Sequence, residues 1–509
     1  MGYYEINLSS LSHTICNGYF YSTQIITCEA IRKSRTSKSV FPFRFLTFTA
    51  VKILLTHGYF LAEDEKEQAI MKPYVPLGIL SVSAYLEQKG FDNEIFDSTF
   101  STFNKLCVHL LEHQPNVLGI YTNLMTRINV IRIIRFVRSK SELTNTKIIL
   151  GGPEVRQHAE PLLKTGADFI VIGEGEESMQ ELVDSISNGE DNFSGVNGIQ
   201  WKDKSGSIII NKERELLKDI NLLPFPNRKK VDLQKYFDAW KTAHGESSVS
   251  VSTMRGCPYT CKWCSRAVYG LSYRRRNPEL VADEIQDLQR NYTFDSIWFV
   301  DDVFTINPKW LRDFAKVIAE RKIKIRYEII SRSDRLSEEM LDLLAQSGCF
   351  RIWIGAESGS QNVIDAMDRR VDVQNVREMI QLTRKKGMEA GTFIMLGYPG
   401  ETENDIRETV NHLVQSNPHH FTITLAYPIR GTELFEETKQ HHTQVGQWET
   451  TTDRDIDFKR TYPRKYYDYA IRYVVNTVKW KTAKEDSFAK RMRYLAASWR
   501  GRVGMVWTK

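Results

Sequence analysis

Arg255-Gly256-Cys257-Pro258-Tyr259-Thr260-Cys261-Lys262-Trp263-Cys264-Ser265 is the stretch around which this chain is organised. It sets Cys257, Cys261 and Cys264 in a CxxxCxxC spacing, with an aromatic residue just before the third. Three thiolates in so short a loop can converge on one metal centre. A structural zinc site takes four ligands, with the missing pair usually close by. Here the next cysteine is Cys349, and the nearest histidines in sequence are His244 and His412. A cubane iron–sulfur cluster is normally held by four cysteines, one per iron. A cluster held by three leaves one iron open to a substrate or cosubstrate. Spacing alone keeps the zinc reading open, because a fourth ligand can arrive from far away in sequence.

Outward from the loop, a βα rhythm runs downstream. Apolar runs at Ser248–Thr253, Ser296–Val300, Lys324–Ile330, Phe350–Gly355, Gly391–Leu396 and Phe421–Leu425 read as strands, with helical patterns between them. Six such units fit a partial (β/α)6 TIM-like barrel, short of the eight that close fully, and chemistry in such barrels sits at the carboxyl ends of the strands. The three-cysteine loop follows the first strand. Asp301-Asp302 follows the second, Arg332 the third and Glu357 the fourth. Ser337 and Thr402 read as helix caps and Cys349 as a core residue. Arg274-Arg275-Arg276 reads as a solvated basic loop, with facing a phosphate or carboxylate as the alternative.

Upstream, from Val51 to about Ser187, five short strand-like runs alternate with helical patterns. That alternation means a doubly wound, Rossmann-like parallel sheet. Ligands bind outside the carboxyl ends of such strands. Those ends carry His57-Gly58, Thr122-Asn123 and Gly151-Gly152, and glycine lets a large flat ligand approach the backbone closely.

The cysteine loop, with Trp263 in the aromatic slot, resembles the radical S-adenosylmethionine (SAM) superfamily. The upstream half, through Pro76-Leu77-Gly78, Leu150-Gly151-Gly152-Pro153 and Ile172-Gly173-Glu174-Gly175-Glu176, is similar to the cobalamin-binding domain ahead of many radical SAM domains. The closest broad group contains anaerobic magnesium-protoporphyrin ester cyclases and carbon methyltransferases. The resemblance implies an α/β enzyme with a 4Fe–4S cluster on Cys257, Cys261 and Cys264. The cluster cleaves SAM to a 5′-deoxyadenosyl radical, and cobalamin assists methyl transfer to, or cyclisation or rearrangement at, an unactivated carbon. It further implies SAM contacts from Trp263, Asp301, Asp302, Arg332 and Glu357. Cobalamin would be held at His57, Thr122, Asn123, Gly151 and Gly152, and electrons would come from a reductant such as flavodoxin or ferredoxin. The better-known cobalamin modules carry Asp-x-His-x-x-Gly; here Leu55 and Phe60 occupy the Asp and Gly positions, so His57 reads as a polar loop residue more than a cobalt ligand.

The sequence therefore divides into an extension (1–50), expected to be disordered or spuriously translated, a cobalamin-binding-like domain (51–190), a connector (191–246), a radical SAM domain (247–435) and a helical basic region (436–509). The 509 residues hold seven cysteines, low and odd for the length, which fits a reducing cytoplasm and no disulfide scaffold. No apolar run reaches the length of a transmembrane helix. Residues 451–509 carry 15 Lys+Arg against 6 Asp+Glu, so the basic excess lies in the tail. Helices are expected there at Tyr466–Lys481 and Phe488–Arg502. The apolar stripe Phe488, Met492, Leu495, Trp499 of the second is expected to dock against the barrel's open side, with a membrane surface or an acidic partner as the alternative. A small-molecule substrate is expected and no nucleic acid. Two rival functions are open: a tRNA methylthiotransferase, disfavoured by the lack of a second cysteine triplet upstream, and a non-catalytic cobalamin or iron–sulfur sensor.

Overall fold

The computed structural model describes residues 51–444 and 446–509; residues 1–50, expected to be an extension, lie outside the described residues. The upstream sheet is built from β1 (Ile53–His57), β2 (Glu94–Phe96), β3 (Val117–Tyr121), β4 (Lys147–Gly151), β5 (Phe169–Val171), β6 (Ile199–Lys202) and β7 (Ile208–Ile210), in the order β2-β1-β3-β4-β5-β6-β7. The first five strands are parallel, while β5–β6–β7 pair antiparallel. The segment expected to be a connector (191–246) thus contributes a hairpin, β6–β7, that extends the sheet.

Why these runs are continuously apolar is visible in the core. Leu54, Leu118, Ile120, Ile148, Leu150 and Ile170 bury into one helical layer. Their neighbours Ile53, Leu55, Val117, Ile149, Phe169 and Val171 bury on the other face, in a core continuous with that of the downstream barrel. A parallel strand covered on both sides must be apolar at every position. Each such side chain contributes about 1.5–3 kcal/mol of burial.

The barrel strands are β8 (Ser248–Val251), β11 (Ser296–Phe299), β12 (Tyr327–Ser331), β13 (Cys349–Glu357), β14 (Glu389–Leu396) and β15 (His420–Leu425); a short ribbon of β9 (Met254–Arg255) and β10 (Arg274–Arg275) lies between the first two. The sheet runs β15-β14-β13-β12-β11-β8, all parallel, so the strands lie in chain order and the barrel stays open. Ser337 and Thr402 do cap their helices, the latter in a capping box with Asp405. Four helices escaped the sequence reading: Glu65–Ile70, Leu233–His244, Gln361–Ala366 and Glu433–Thr438.

Two expectations are corrected. Arg274, Arg275 and Arg276 are not solvated. They pair with Glu174, Asp301 and Glu284, and Arg275 lies 3.5 Å from the Trp310 ring centre. Their partners come from three separate elements, which local sequence cannot reveal. The stripe on the last helix (Phe488–Trp507) does not dock either. That helix packs on the preceding one (Arg464–Thr482) through Ser498, Gly501 and Met505, leaving Phe488, Met492 and Trp499 exposed. A Cβ on Gly501 would lie 2.8 Å from the Tyr473 backbone nitrogen, so the small residues, not the bulky stripe, allow the close approach.

Candidate active site

The three-cysteine loop begins where β9 ends and returns at β10, whose antiparallel pairing of Arg255 with Arg274 pinches its base. Gly256 makes the exit possible. Its φ is +85°, and a Cβ there would come within 2.6 Å of the Ser272 carbonyl oxygen. Across the loop, Thr260 Oγ1 donates to Asp368 Oδ2 (2.6 Å), Lys262 N donates to the Met367 carbonyl, and the Lys262 carbonyl accepts from Leu434 N. Trp263 packs against Val363, Met367, Met395, Tyr398 and Leu434. The loop is therefore clamped by contacts from the rest of the barrel.

Cys261 is buried, Cys257 half-buried and Cys264 accessible. Burial pushes the Cys257 thiol up, and the concavity around Cys264 pushes its thiol up to about 12, with Asp302 adding to both. Among the described residues, the grouping of metal-ligating atoms that all approach within 4.8 Å of one another is Glu94, His109 and His113; the three cysteine sulfurs are spread wider. A single zinc with 2.3 Å bonds would draw its sulfurs to about 3.8 Å, whereas a cubane binds each cysteine at a different iron and so holds the cysteine sulfurs farther apart. Nor, among the described residues, is a fourth protein ligand at hand. Cys349 opens β13 at its amino end, about 26 Å along the strand from Glu357 at the loop end. Its thiol is buried and donates to the Arg351 carbonyl. His244 faces the carbonyls of Ile70 and Met71, and His412 is enclosed in the core. The donor set fits a cubane held at three corners.

The strand-end residues divide. Asp301 is buried and consumed: its carboxylate accepts from Thr253 N (2.7 Å), Thr253 Oγ1 and Met254 N (3.1 Å). It ties β11 to the start of the cysteine loop, although burial raises its pKa. Asp302 is exposed toward Cys257 and Cys264, and its pKa is raised by its surroundings and by Asp301. Arg332 is buried, stacks 3.8 Å from the Tyr259 ring centre and reaches Cys261 Sγ at 3.9 Å. It also donates to Asp334 and to the carbonyls of Arg369 and Arg370. Glu357 follows a register shift in β13 and sits at φ +64°, a strained value for a non-glycine residue. Burial raises its pKa, opposed by Arg369 and Arg332.

Arg369 escaped the sequence reading. It donates to the Gly355 carbonyl (2.7 Å), lies 3.6 Å from Glu357 and faces the Trp263 ring at 5.6 Å. It arrives from the turn after the unforeseen Gln361–Ala366 helix, so no spacing rule pointed to it. The structure therefore gathers Cys261, Trp263, Arg332, Glu357 and Arg369 at one end of the barrel.

A cavity of about 300 Å³ opens beside this end. One wall comes from the upstream sheet: Gly78, Gly119, Gly151, Gly152, Gly173 and Gly175. The other comes from the barrel: Ser252, Arg255, Val268 and Tyr269. The walls are bolted together. Arg255 Nη1 donates to Glu174 Oε1 (2.7 Å) and Arg274 Nη1 to Glu174 Oε2 (2.6 Å), while Arg255 also pairs with Glu176. Despite burial, these guanidinium groups hold the Glu174 carboxyl below its usual range. His57 is not part of the lining. Its Nε2 bonds Asp97 Oδ1 (3.1 Å) and its Nδ1 accepts from Tyr59 N, so the expectation that it meets the ligand finds no geometric support. Thr122 is buried behind the lining, and Asn123 caps the following turn through Met125 N and Thr126 N. Gly151 and Gly152 do line the cavity.

Residues 251–413 match the family model described as the radical SAM superfamily, and residues 70–183 match that described as the B12 binding domain. An uncharacterized methyltransferase of Pyrococcus horikoshii is 27% identical over 71% of this chain and 78% of its own length. An anaerobic magnesium-protoporphyrin IX monomethyl ester cyclase of Synechocystis is 25% identical over 71% of this chain and 72% of its own. The solved structure of the radical SAM methyltransferase TsrM from Kitasatospora setae, with cobalamin and a 4Fe–4S cluster bound, superposes with a TM-score of 0.64 at 19% identity. It covers 77% of this chain and 75% of that one, and shows that the two share a fold. The matches place a B12-binding domain at residues 70–183 ahead of a radical SAM domain at residues 251–413.

Proposed function

We propose that the chain is a cobalamin-dependent radical SAM enzyme that transfers a methyl group to, or cyclises or rearranges, an unactivated carbon of a small-molecule substrate. The observation that carries this reading is the shared cavity. One wall is the glycine-rich strand ends of the B12-binding domain, and the other includes Arg255, two residues ahead of Cys257. When bound, the cluster supplies the electron that cleaves SAM, and cobalamin supplies methyl-carrying chemistry.

The residues have distinct roles in this reading. Cys257, Cys261 and Cys264 hold the cluster. Asp302, exposed where Asp301 is consumed, accepts from the SAM ammonium. Arg332 Nη1 steadies Cys261 through one N–H and offers its second N–H to the SAM carboxylate. Glu357, set by Arg369, accepts from the ribose hydroxyls, and Trp263 walls the adenine side. The glycine-rich strand ends at Gly151 and Gly152 would hold cobalamin, and His57 would not, since both of its ring nitrogens are engaged by Asp97 and Tyr59. The unpaired thiols of Cys107 and Cys349 suit a reducing cytoplasm, where flavodoxin or ferredoxin serves as electron donor.

Anaerobic reconstitution with iron, sulfide and hydroxocobalamin tests the reading. The expected result is SAM-dependent release of 5′-deoxyadenosine or S-adenosylhomocysteine, and a reduced cobalamin spectrum without nitrogen splitting from a protein histidine. A protein that binds cobalamin but never consumes SAM would instead be a sensor.

A further inference from the structure

The last helix (Phe488–Trp507) turns its bulkiest side chains to solvent. Trp499 is 63% exposed and Trp507 86%, with Phe488, Met492, Val503 and Val506 also exposed. At about 100° per residue, Phe488, Met492, Leu495, Trp499, Val503 and Val506 fall within an arc of about 80°. Arg493 and Arg500 flank that arc on one side and Arg502 on the other. The buried face, with Ser498, Gly501 and Met505, lies well around the helix. The stripe is thus a second, unpartnered face, not the edge of the packing interface.

Charge identifies what the stripe fits. Residues 488–509 contain six lysines and arginines and no aspartate or glutamate. Lys490 pairs with Asp486, and Lys509 with Glu403. Arg491, Arg493, Arg500 and Arg502 make no ion pair among the described residues. Tryptophan among aliphatic residues, rimmed by arginine, suits the boundary between acyl chains and anionic headgroups. The helix does not cross a bilayer, since no described helix is long and apolar enough to do so. Its end is fixed relative to the active site. Lys509 Nζ lies 3.2 Å from Glu403 Oε2, at the start of the helix that leaves the Gly397–Thr402 loop on the catalytic end of the barrel.

We propose that this helix is a membrane-docking surface that seats the enzyme on an anionic lipid bilayer, with the catalytic end of the barrel near the lipid. The inference is independent of the chemistry above, because the helix contains no residue of the site.

The test is co-sedimentation of the full-length, cofactor-loaded protein with phosphatidylcholine vesicles, with and without phosphatidylglycerol. Expected is binding at least about tenfold stronger with the anionic lipid and weakened by salt. Trp499→Glu with Val503→Glu should abolish it, and Arg493→Glu with Arg500→Glu should remove its lipid and salt dependence. Both pairs should keep parental circular dichroism and SAM turnover in lipid-free buffer, since their side chains are exposed. Absence of vesicle binding, or binding unchanged in the variants, would overturn the proposal. So would a concentration-dependent dimer, seen by sedimentation and lost in Trp499→Glu, which would assign the stripe to a second copy of the chain.

Discussion

At the residue scale, the site depends on positions whose backbone or burial allows no substitute. Gly256→Ala forces a Cβ against Ser272 at a positive φ. The expected outcome is a folded protein with a parental thermal midpoint to within a few degrees, but less than about a tenth of the parental iron and sulfide. Alanine at Cys257, Cys261 or Cys264 should also empty the cluster. Cys349→Ala should keep full iron and sulfide and lose about 1–2 kcal/mol in chemical denaturation, since it only opens a small core void. The sequence made the cysteines legible because their ligand spacing is local. It also named Arg332 and Glu357, from strand-end position. It missed Arg369, and it offered Asp301 and Asp302 as equals. Only the backbone amides of Thr253 and Met254 show that Asp301 is consumed.

At the scale of elements, the Gly173–Glu176 turn and the β9–β10 ribbon are held together by Glu174 between Arg255 and Arg274. Glu174→Gln leaves Arg274 without a carboxylate partner and Arg255 with Glu176 alone. A loss of about 2–4 kcal/mol of unfolding free energy is expected, measured by denaturant titration. A second device lies after β14. Glu401 is fully buried, accepts from Gly397 N (2.6 Å) and has an unpartnered Oε1. Burial raises its pKa to about 8. The native carboxyl then keeps its proton between about pH 4.5 and pH 8 while the unfolded one has lost it, so stability falls as pH rises through that window. Glu401→Gln should flatten this slope. Its advantage over the parent should grow from near zero at pH 5 to about 2–4 kcal/mol at pH 8, read from denaturation at the two pH values. The strands were readable because sheets covered on both faces demand unbroken apolar runs. The Ile199–Ile210 hairpin looked like a connector because two short strands carry no mark of the sheet edge they join.

At the scale of the whole molecule, the B12-binding domain and the barrel share one core and one cavity. The chain after the barrel returns to secure them. Arg127, buried in the first domain, donates to the carbonyls of Trp448 and Thr451 and pairs with Glu154. Neither this clasp nor the outward face of the last helix was legible in the sequence. The first joins residues more than 300 positions apart. The second turns on which of two faces packs, and glycine decided that against the more apolar one. What the sequence did convey, three sulfurs with no fourth in the same loop, is the claim on which the chemistry rests. Electron–nuclear double resonance on the reduced, cluster-loaded protein with SAM labelled at its amine nitrogen and carboxylate oxygen tests it most directly. The account predicts hyperfine coupling of both labels to a cluster iron. A cluster that shows neither coupling at saturating SAM, or a protein that retains one tight zinc and no labile sulfide, would contradict it.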